Sequence, residues 1–402
     1  MKIGIIGGGA AGMLAAIGAA SQDTGAQIEI LERNDLLGKK LLSTGNGHCN
    51  LTNLTLDASL YRGSGAKLVP GILREFGVED TIRFFERIGI PCIDREGYVY
   101  PRSREAKAVR SVLARYIKEI GITVRTGCLV TGIRREQDGF TVICGSEKSH
   151  YDRLIICCGG MAAPKTGSDG SLFSCLADLG TVQRPFLPAL VPLAAEESYC
   201  SLFAGIRADA AVTLLLDGQP VRTEKGEVQF TDSGISGIAV FQLSGEAIRA
   251  QADGKSVQIS VDLFADADPA AMRGSMLSLC RAYPGRKAEQ LLTGYVPEKM
   301  HPVLLRLAGI RREKPIGELK EEDILRLTEA ACSLPFTICG GKSFDAAQVS
   351  TGGLLPERDL QLLPGLFAAG EAVDVDGPCG GYNLQWAWSS GYIAGRNAAM
   401  LH

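Results

Sequence analysis

The first 32 residues constrain the fold of this chain more than any other segment. A short apolar run, residues 2–6, meets a glycine-rich turn at 7–12, and an alanine-rich segment then leads to a second apolar run at 27–31. This order predicts a strand, a tight turn, a helix and a second strand, the first βαβ unit of a doubly wound parallel sheet. An acid, Glu32, follows about 20 residues after the last glycine of the turn. The spacing predicts a dinucleotide-binding site.

The residue types in this turn suit such a site for mechanical reasons. Gly7 makes the tight turn, Gly9 lets the backbone approach a pyrophosphate, and Gly12 allows close packing of the helix on the strand. The N–H groups that open the helix receive phosphate charge. Glu32 is expected to accept hydrogen bonds from both ribose hydroxyls and to repel a 2′-phosphate. A glycine-rich turn without a ligand is the alternative, and it leaves the acid unexplained.

A second candidate segment lies near the far end of the chain. Residues 366–369 form an apolar run that ends in Gly370 and Glu371, a glycine-rich loop follows, and a helix is expected over 383–401. The first turn of that helix offers unpaired N–H groups and the positive end of its dipole. A flavin uses both features, because its ribityl chain needs an acceptor and its N1/C2=O edge is stabilised by a helix N-terminus. The two segments together predict FAD. The alternative is the closing strand and helix of an ordinary Rossmann sheet.

A third segment has the same design. The apolar run 151–158 ends in the pair Gly159 and Gly160. Ligands of doubly wound sheets sit at the carboxyl ends of the strands, so a glycine pair there permits close approach of a cofactor.

Composition narrows the classes of function. The 402 residues suffice for two or three domains, and the formal net charge of −3 favours neither a nucleic acid nor an anionic membrane as a partner. Glycine or charge interrupts the apolar stretches before 18 residues, so no membrane span is expected. Because the chain starts directly on a strand, we expect no signal peptide and a cytoplasmic location.

The cysteines predict neither a metal site nor a disulfide framework. The 12 cysteines are scattered, without CxxC pairs or histidines at zinc spacing. We therefore expect reduced thiols and no bound metal. Cys157 and Cys158 are adjacent at a strand end, and a redox dithiol is the alternative there.

On these motifs the chain resembles the BaiN/YhiN-type flavoproteins, a family of NAD(P)/FAD-dependent oxidoreductases that includes aminoacetone-oxidase-like enzymes. The resemblance runs nearly from end to end, and its most specific pieces are residues 39–53, 349–353 and 370–387. It implies a two-dinucleotide-binding-domain flavoprotein with FAD bound in its N- and C-terminal segments. We predict that the FAD is held non-covalently. His48 stands where the family usually has arginine, which puts an arginine-based anchor for an anionic substrate in doubt.

Residues and resemblance together predict the cofactor site. Its members come from the glycine turn and second strand, the 40–50 loop, the central glycine pair and the C-terminal segment: Gly7, Gly9, Ala10, Ala11, Gly12, Glu32, Arg33, Lys40, Gly45, Asn46, Cys49, Asn50, Gly159, Gly370, Glu371, Gly381, Asn383 and Leu384.

The middle of the chain has a different character. Residues 211–216 and 226–231 flank an Asp-Gly turn and predict a hairpin, residues 256–263 predict another strand, and helical periods follow from 269. The predicted fold is therefore α/β, a Rossmann-like FAD-binding domain over 1–190 and 335–402 with an inserted β-barrel-like and helical domain over 191–334. We expect the insert to set substrate choice and not to bind FAD.

The expected function is hydride transfer through the flavin N5. Resemblance to bile-acid-pathway members implies reduction of a C=C bond conjugated to a ketone, as in a 3-oxo-Δ4 steroid acid. The donor would be NAD(P)H, docking transiently because there is no second glycine fingerprint. Two alternatives stay open, an amine or aminoketone oxidase that uses O2 and an FAD-binding protein with a non-redox or RNA-related role. We expect a monomer or homodimer that acts on an apolar small molecule.

Two residues are candidate catalysts. His48 lies in a polar glycine loop, and histidine is the side chain whose charge changes most readily near neutral pH. Tyr382 could donate a proton or line the pocket. For each, the alternative is a structural role, as a loop hydrogen bond for His48 and as packing for Tyr382.

Overall fold

The computed structural model describes residues 1–400, and within them the apolar runs form mostly short strands. The strands are β1 (Lys2–Ile6), β2 (Gln27–Leu31), β3 (Thr52–Asn53), β4 (Cys92–Arg95), β5 (Tyr98–Pro101), β6 (Thr123–Arg125), β7 (Val130–Arg135), β8 (Phe140–Cys144), β9 (Glu147–Tyr151), β10 (Arg153–Ile156), β11 (Gln183–Ala189), β12 (Leu193–Ala195), β13 (Arg207–Leu216), β14 (Gln219–Thr231), β15 (Gly234–Ser236), β16 (Val257–Asp262), β17 (Leu334–Gly341), β18 (Val349–Leu354), β19 (Gln361–Leu363) and β20 (Leu366–Ala368).

The helices are α1 (Ala10–Ala20), α2 (Val69–Glu75), α3 (Val78–Arg87), α4 (Ala106–Glu119), α5 (Phe173–Asp178), α6 (Cys200–Phe203), α7 (Ile238–Ala252), α8 (Pro269–Ala282), α9 (Ala288–Leu291), α10 (His301–Leu307), α11 (Glu321–Cys332) and α12 (Tyr382–Met400). Leu401, the expected last residue of the final helix, lies outside the described residues.

These elements form two units. The Rossmann unit comprises residues 1–189 together with those from 343 onward, and the barrel unit comprises residues 190–342. The strand β17 pairs with β12 and β16, so the barrel unit extends past the boundary at 334 expected from sequence.

A six-stranded sheet in the order β19-β20-β10-β1-β2-β6 is the centre of the Rossmann unit. The pairs among β20, β10, β1, β2 and β6 are parallel, and only β19 runs antiparallel to its neighbour. The core strand β1 is buried on both faces, and Ile3 and Ile5 are fully enclosed. Uninterrupted apolar runs are typical of such parallel strands. The predicted α/β class is confirmed.

Small residues allow the first and last helices to pack backbone against backbone. A Cβ added at Gly18 would overlap the carbonyl oxygen of Tyr392, and one at Gly391 would overlap that of Ala11. A Cβ at Gly395 would likewise overlap the carbonyl oxygen of Ala15. This close contact places the middle of α12 beside the start of α1, although the two helices lie at opposite ends of the sequence.

One pair of cysteines departs from the expectation of reduced thiols. Cys128 and Cys144 are joined by a disulfide, with their Cα atoms 5.8 Å apart. Cys144 is paired in register with Val130 on the antiparallel strands β7 and β8, which brings Cys128 within reach. The expectation was wrong at this pair because the two cysteines are 16 positions apart in the sequence and become neighbours only when the hairpin forms.

The barrel unit closes six strands in the order β12-β15-β14-β13-β16-β17. The predicted hairpin is β13 and β14, and its turn residues Asp217 and Gly218 both have positive φ, at 50° and 77°. Positive φ at both positions defines a type I′ turn, for which Asp-Gly is a preferred sequence. In the core of the barrel unit, the ring of Phe230 packs against those of Phe203 and Phe336. The helices α8 to α11 form the predicted helical part.

Among residues 1–400, no helix is both long and apolar enough to cross a membrane. Over the same range no group of three or more His, Cys, Asp or Glu side chains has an arrangement that suits a metal ion.

Candidate functional site

Four parallel strands of the Rossmann unit end at one edge of the sheet, and each is followed by a predicted site residue. Gly7 follows β1, Glu32 follows β2, and Gly370 comes two residues after β20. The strand β10 leads through Cys157 and Cys158 to Gly159. The four segments were predicted separately along the chain, and the sheet brings them together where doubly wound folds bind their ligands.

The glycines of the N-terminal turn differ in what surrounds them. Gly7 has a φ of 103°, and a Cβ there would overlap the carbonyl oxygen of Cys157. A Cβ at Gly12 would overlap the carbonyl oxygen of Gly7. Gly9, the N-cap of α1, has an ordinary φ of −76°, and a Cβ there would meet nothing within 4 Å. The protein itself therefore requires glycine at positions 7 and 12, whereas the space at Gly9 is open for a ligand.

The helix behind this turn presents its N-terminus to that open space. Ala10 and Ala11 form the first turn of α1, and no side chain caps it. The first N–H groups of a helix have no partner inside the helix, and together with its dipole they bind phosphate oxygens. An uncapped helix start beside an open glycine fits a pyrophosphate.

Glu32 is buried and held across the turn. One carboxylate oxygen accepts a hydrogen bond from the backbone N–H of Gly8 at 2.7 Å. The other accepts from the backbone N–H and the side-chain amide of Asn34, at 2.8 and 2.7 Å. A carboxylate has about four acceptor positions, so capacity remains for a ribose hydroxyl. Asn34 was not predicted from the sequence, and it fixes the orientation of this acid.

Arg33 turns toward the loop that follows Gly159. Its guanidinium forms an ion pair with Asp169 at 2.7 Å and donates to the carbonyl of Gly167 at 3.3 Å. The hydroxyl of Ser168 in the same loop is buried without a partner, 2.6 Å from where a Cβ of Gly159 would lie. Buried hydroxyls are normally hydrogen-bonded, so an unpartnered one beside a predicted cofactor glycine fits a bound polar group.

Glu371 and Lys40, both predicted near the flavin, contact each other. The Lys40 ammonium lies 2.6 Å from one carboxylate oxygen of Glu371. The second oxygen accepts from the backbone N–H and the hydroxyl of Ser350, at 2.9 and 2.8 Å. Ser350 is 2% exposed and also accepts from the N–H of Met161 at 3.0 Å. This serine connects three segments of the site, and its role could not be predicted from the motif at residues 349–353.

The two tryptophans of α12 anchor the loops of the site. Trp386 donates its indole N–H to the carbonyl of Gly370, and Trp388 donates to that of Leu51, each at 3.0 Å. Both side chains are fully buried. They face different directions, as their spacing indicates, and each holds the backbone of one glycine-containing segment.

The 40–50 loop is tightly turned. Gly45, Asn46 and Cys49 all have positive φ, at 54°, 52° and 56°. Asn50, oriented to satisfy its neighbours, donates to the carbonyls of Val99 and Thr52 and accepts from the N–H of Gly381 at 3.2 Å.

Gly381 and Asn383 belong to the loop that precedes α12. Gly381 has a φ of 94°, and a Cβ there would lie 2.6 Å from the backbone of Thr52. The amide of Asn383 accepts from the N–H of Gly377 at 2.9 Å and donates to its carbonyl at 2.7 Å. The Asn383 side chain therefore closes its own loop, and Leu384 beside it is half-buried.

The candidate catalysts have different surroundings. His48 is exposed, and its Nδ1 lies 2.9 Å from the carbonyl oxygen of Arg104. A carbonyl only accepts, so Nδ1 carries the proton of this contact. Tyr382 is 6% exposed, and its hydroxyl accepts from the N–H of Asp57 at 3.2 Å. Its ring packs against Tyr61, with 5.5 Å between the ring centres.

The thiols in the site are buried. Burial raises the pKa of Cys49 to about 12, and that of Cys157 well above the ordinary thiol range. Burial also raises the pKa of Cys158 to about 12. The thiolate is the reactive form, so burial disfavours reaction of these cysteines near neutral pH. Cys157 and Cys158 are free thiols in the structure.

Comparison with known proteins agrees with this geometry. The family described as HI0933-like protein Rossmann domain matches residues 1–397. The chain is 39% identical to the 3-dehydro-bile acid delta(4,6)-reductase of Clostridium scindens, over 99% of both proteins. It is 24% identical to the ribosomal RNA dihydrouridine synthase of Escherichia coli, over 98% of this chain and 96% of the relative.

A solved structure shares the fold. The 3-ketosteroid delta1-dehydrogenase from Sterolibacterium denitrificans, in complex with 1,4-androstadiene-3,17-dione, aligns over 99% of each chain with a TM-score of 0.51 and 12% identity. At this identity the likeness concerns the fold alone.

The resemblance to BaiN/YhiN-type flavoproteins is thus confirmed over nearly the whole chain. An open pyrophosphate cradle, a buried acid beside it and an unpartnered serine fit the adenosine end of FAD. The chain belongs to the HI0933-like Rossmann family of FAD-dependent oxidoreductases.

Proposed function

We propose that this enzyme reduces a C=C bond conjugated to a carbonyl, with a 3-oxo-Δ4 steroid acid of the bile-acid type as substrate and NAD(P)H as electron donor. The observation that carries the proposal is the 39% identity, over the full length, to a 3-dehydro-bile acid delta(4,6)-reductase. The segments that would hold FAD, at residues 7–12, 32–33, 40–50 and 370–371, are all present in this chain and support a flavin-dependent reduction.

The two relatives named above support a common chemistry. A delta(4,6)-reductase of a 3-dehydro bile acid saturates double bonds conjugated to the C3 ketone. A dihydrouridine synthase saturates the C5=C6 bond of uridine, which is conjugated to the C4 carbonyl. A hydride to the β-carbon and a proton to the α-carbon would complete the reduction of a bond conjugated to a carbonyl in either case.

We assign the cofactor-holding roles as follows. The N–H groups around Ala10 and Ala11 would bind the pyrophosphate, Glu32 the adenosine ribose, and Glu371 the ribityl hydroxyls. When bound, FAD supplies the hydride from N5. The Lys40 ammonium, held by Glu371 at 2.6 Å, would place a cation near the flavin edge on which negative charge develops.

The proton for the α-carbon has two candidate donors. The Nδ1–H of His48 is engaged with the Arg104 carbonyl, so His48 can donate only from Nε2, as the imidazolium. Tyr382 accepts a hydrogen bond from Asp57 and keeps its own O–H proton for donation. We propose His48 first, because it is exposed while Tyr382 is buried. The role expected for residues 191–334 in substrate choice stays a prediction.

A second candidate is reduction of uridine in ribosomal RNA, which the 24% identical relatives from two organisms favour. A net charge of −3 weighs against an RNA substrate, because such binding depends on basic surface. The aminoketone oxidase stays a third possibility, distinguished by peroxide release.

Anaerobic turnover with product analysis separates the candidates. The holoenzyme is mixed with NADH or NADPH and with a 3-oxo-Δ4 bile acid, a uridine-containing ribosomal RNA fragment or aminoacetone. We expect nicotinamide oxidation coupled to a steroid product heavier by two hydrogens. Turnover only with the RNA, or only with aminoacetone and added O2, would contradict the proposal.

A further inference from the structure

Arg104 has no anionic partner among residues 1–400, although part of its guanidinium is buried. Its Nε is enclosed and has no hydrogen-bond acceptor, and the side chain takes part in no ion pair of the described chain. Its one recorded side-chain contact is with the Tyr100 ring, whose centre lies 5.8 Å from the guanidinium carbon. Buried charges are normally paired, and an unmet charged donor is unfavourable.

The backbone holds Arg104 in a defined place. Its φ is 54°, in the left-handed region that residues other than glycine rarely adopt. Its N–H donates to the carbonyl of Pro101 at 2.8 Å, and its own carbonyl accepts from Nδ1 of His48. A strained conformation kept by two hydrogen bonds is a fixed feature of the fold and not a loose loop.

That place is beside the loops of the cofactor site. The strand β5, which precedes Arg104, pairs with β3 directly after the 40–50 loop. Tyr98 on β5 lies against Gly380, where a Cβ would come within 2.6 Å of its ring. The carbonyl of Gly380 accepts from the side-chain amide of Asn53 at 3.0 Å. Arg104 is thus bonded to the 45–50 loop through His48, and the strand that precedes it contacts the loop at 377–381 through Tyr98.

We infer that Arg104 is a specificity-determining residue that binds an oxyanion of one of the two reactants, either the carboxylate of the steroid acid or a phosphate of the nicotinamide donor. A guanidinium presents donors in a rigid fork that matches either group. This inference rests on the proposed function for the identity of the reactants. His48 is then also a positioning residue, since its ring fixes the carbonyl of Arg104.

The test uses holoenzyme with Arg104→Gln, which removes the charge. His48 donates to the backbone carbonyl of residue 104, so this hydrogen bond is available in the variant as well. Glutamine meets the same cost as arginine at a φ of 54°, so the substitution adds no backbone strain. Arg104→Lys keeps the charge and loses the fork. Arg95→Gln is the matched control, because Arg95 is an exposed arginine on the same hairpin. Equal FAD content and thermal midpoint establish that all variants fold.

Two arms distinguish the sources of the anion. In the first, a 3-oxo-Δ4 bile acid and its methyl ester are titrated into oxidised enzyme, and binding is followed by the flavin absorbance. In the second, flavin reduction by NADPH and by NADH gives a Kd for each. A lost charge-assisted hydrogen bond corresponds to about a 10- to 100-fold rise in Kd.

If Arg104 binds the substrate, its glutamine variant raises the Kd of the acid and leaves that of the ester unchanged, and the lysine variant recovers part of the loss. A rise confined to NADPH assigns Arg104 to the 2′-phosphate, and an equal rise for both nicotinamides assigns it to the pyrophosphate. If the Kd values of Arg104→Gln for the acid, the ester, NADPH and NADH all match those of Arg95→Gln, the inference is overturned. Wild-type enzyme that binds the acid without reducing it contradicts the proposed function and leaves the Arg104 result intact.

Discussion

Two glycines of the N-terminal turn, Gly9 and Gly12, should respond differently to substitution by alanine. Gly9→Ala adds a methyl group in open space, with a φ of −76° that alanine adopts readily. Gly12→Ala adds one that overlaps the carbonyl oxygen of Gly7. The first change should therefore affect the cofactor, and the second should affect the fold.

The expected magnitudes follow from these surroundings. For Gly9→Ala, the free energy of unfolding of the apoprotein should change by less than about 1 kcal/mol. Displacing a pyrophosphate from two N–H donors should lose roughly 3–6 kcal/mol of binding, at about 1.5–3 kcal/mol for each charge-assisted hydrogen bond. That loss raises the Kd of FAD by roughly 10² to 10⁴. Gly12→Ala should destabilise the apoprotein by about 1–3 kcal/mol or more, because the helix must move off the strand.

The assay combines FAD titration by fluorescence quenching with urea unfolding of the apoprotein. Gly274→Ala is the matched control, because Gly274 lies on the exposed face of α8 with open space around it. It should gain about 0.5–1 kcal/mol of stability and leave FAD affinity unchanged. An unchanged Kd of FAD in Gly9→Ala would refute the assignment of the open space to the pyrophosphate.

Four further outcomes are expected. Ser350→Ala should speed FAD dissociation roughly tenfold in stopped-flow measurements, because it removes the 2.8 Å hydrogen bond to Glu371, while Ser343→Ala on the exposed surface should not. Trp388→Phe should lower the free energy of unfolding by about 1–3 kcal/mol in urea titration, since the buried carbonyl of Leu51 loses its donor. His48→Ala should slow the oxidative half-reaction measured by stopped-flow. His48→Asn keeps a donor for the Arg104 carbonyl but cannot supply a proton, so it should be equally slow; full recovery in His48→Asn would make His48 a positioning residue only. Because burial raises the pKa of Cys49 to about 12, native Cys49 should resist thiol reagents at pH 8 and should form no covalent bond to the flavin. Acid should therefore release all FAD, and flavin retained by denatured protein would contradict this. The stability contributed by the neutral thiol should be lost from about pH 8.5 up to pH 12, as the thiol of the unfolded chain ionises.

The first βαβ unit could be predicted closely from the sequence. The expected strands at 2–6 and 27–31 coincide with β1 and β2. Apolar runs, a glycine turn and the acid after the second strand are local signals, and each has one physical meaning in a parallel sheet. The distinct surroundings of Gly9 and Gly12 also follow from the pattern alone.

Contacts between distant segments could not be predicted. Lys40 meets Glu371 across 331 positions, and Trp388 meets Leu51 across 337. Only the closed fold brings these partners together, so the roles of Ser350 and the tryptophans had no local signal. The helix α7 was missed for a different reason. It is buried at eight of its 15 positions and contains Gly245, so it has little amphipathic pattern.

A single turnover shows whether the reduced flavin of this enzyme passes its hydride to an enone. Enzyme whose flavin has been reduced by light under anaerobic conditions is mixed with a 3-oxo-Δ4 bile acid, and the flavin absorbance and the steroid mass are both followed. We expect stoichiometric reoxidation of the flavin and a saturated product that has gained two hydrogens. A flavin that stays reduced with the enone, and is reoxidised only when O2 is admitted with release of peroxide, would contradict it.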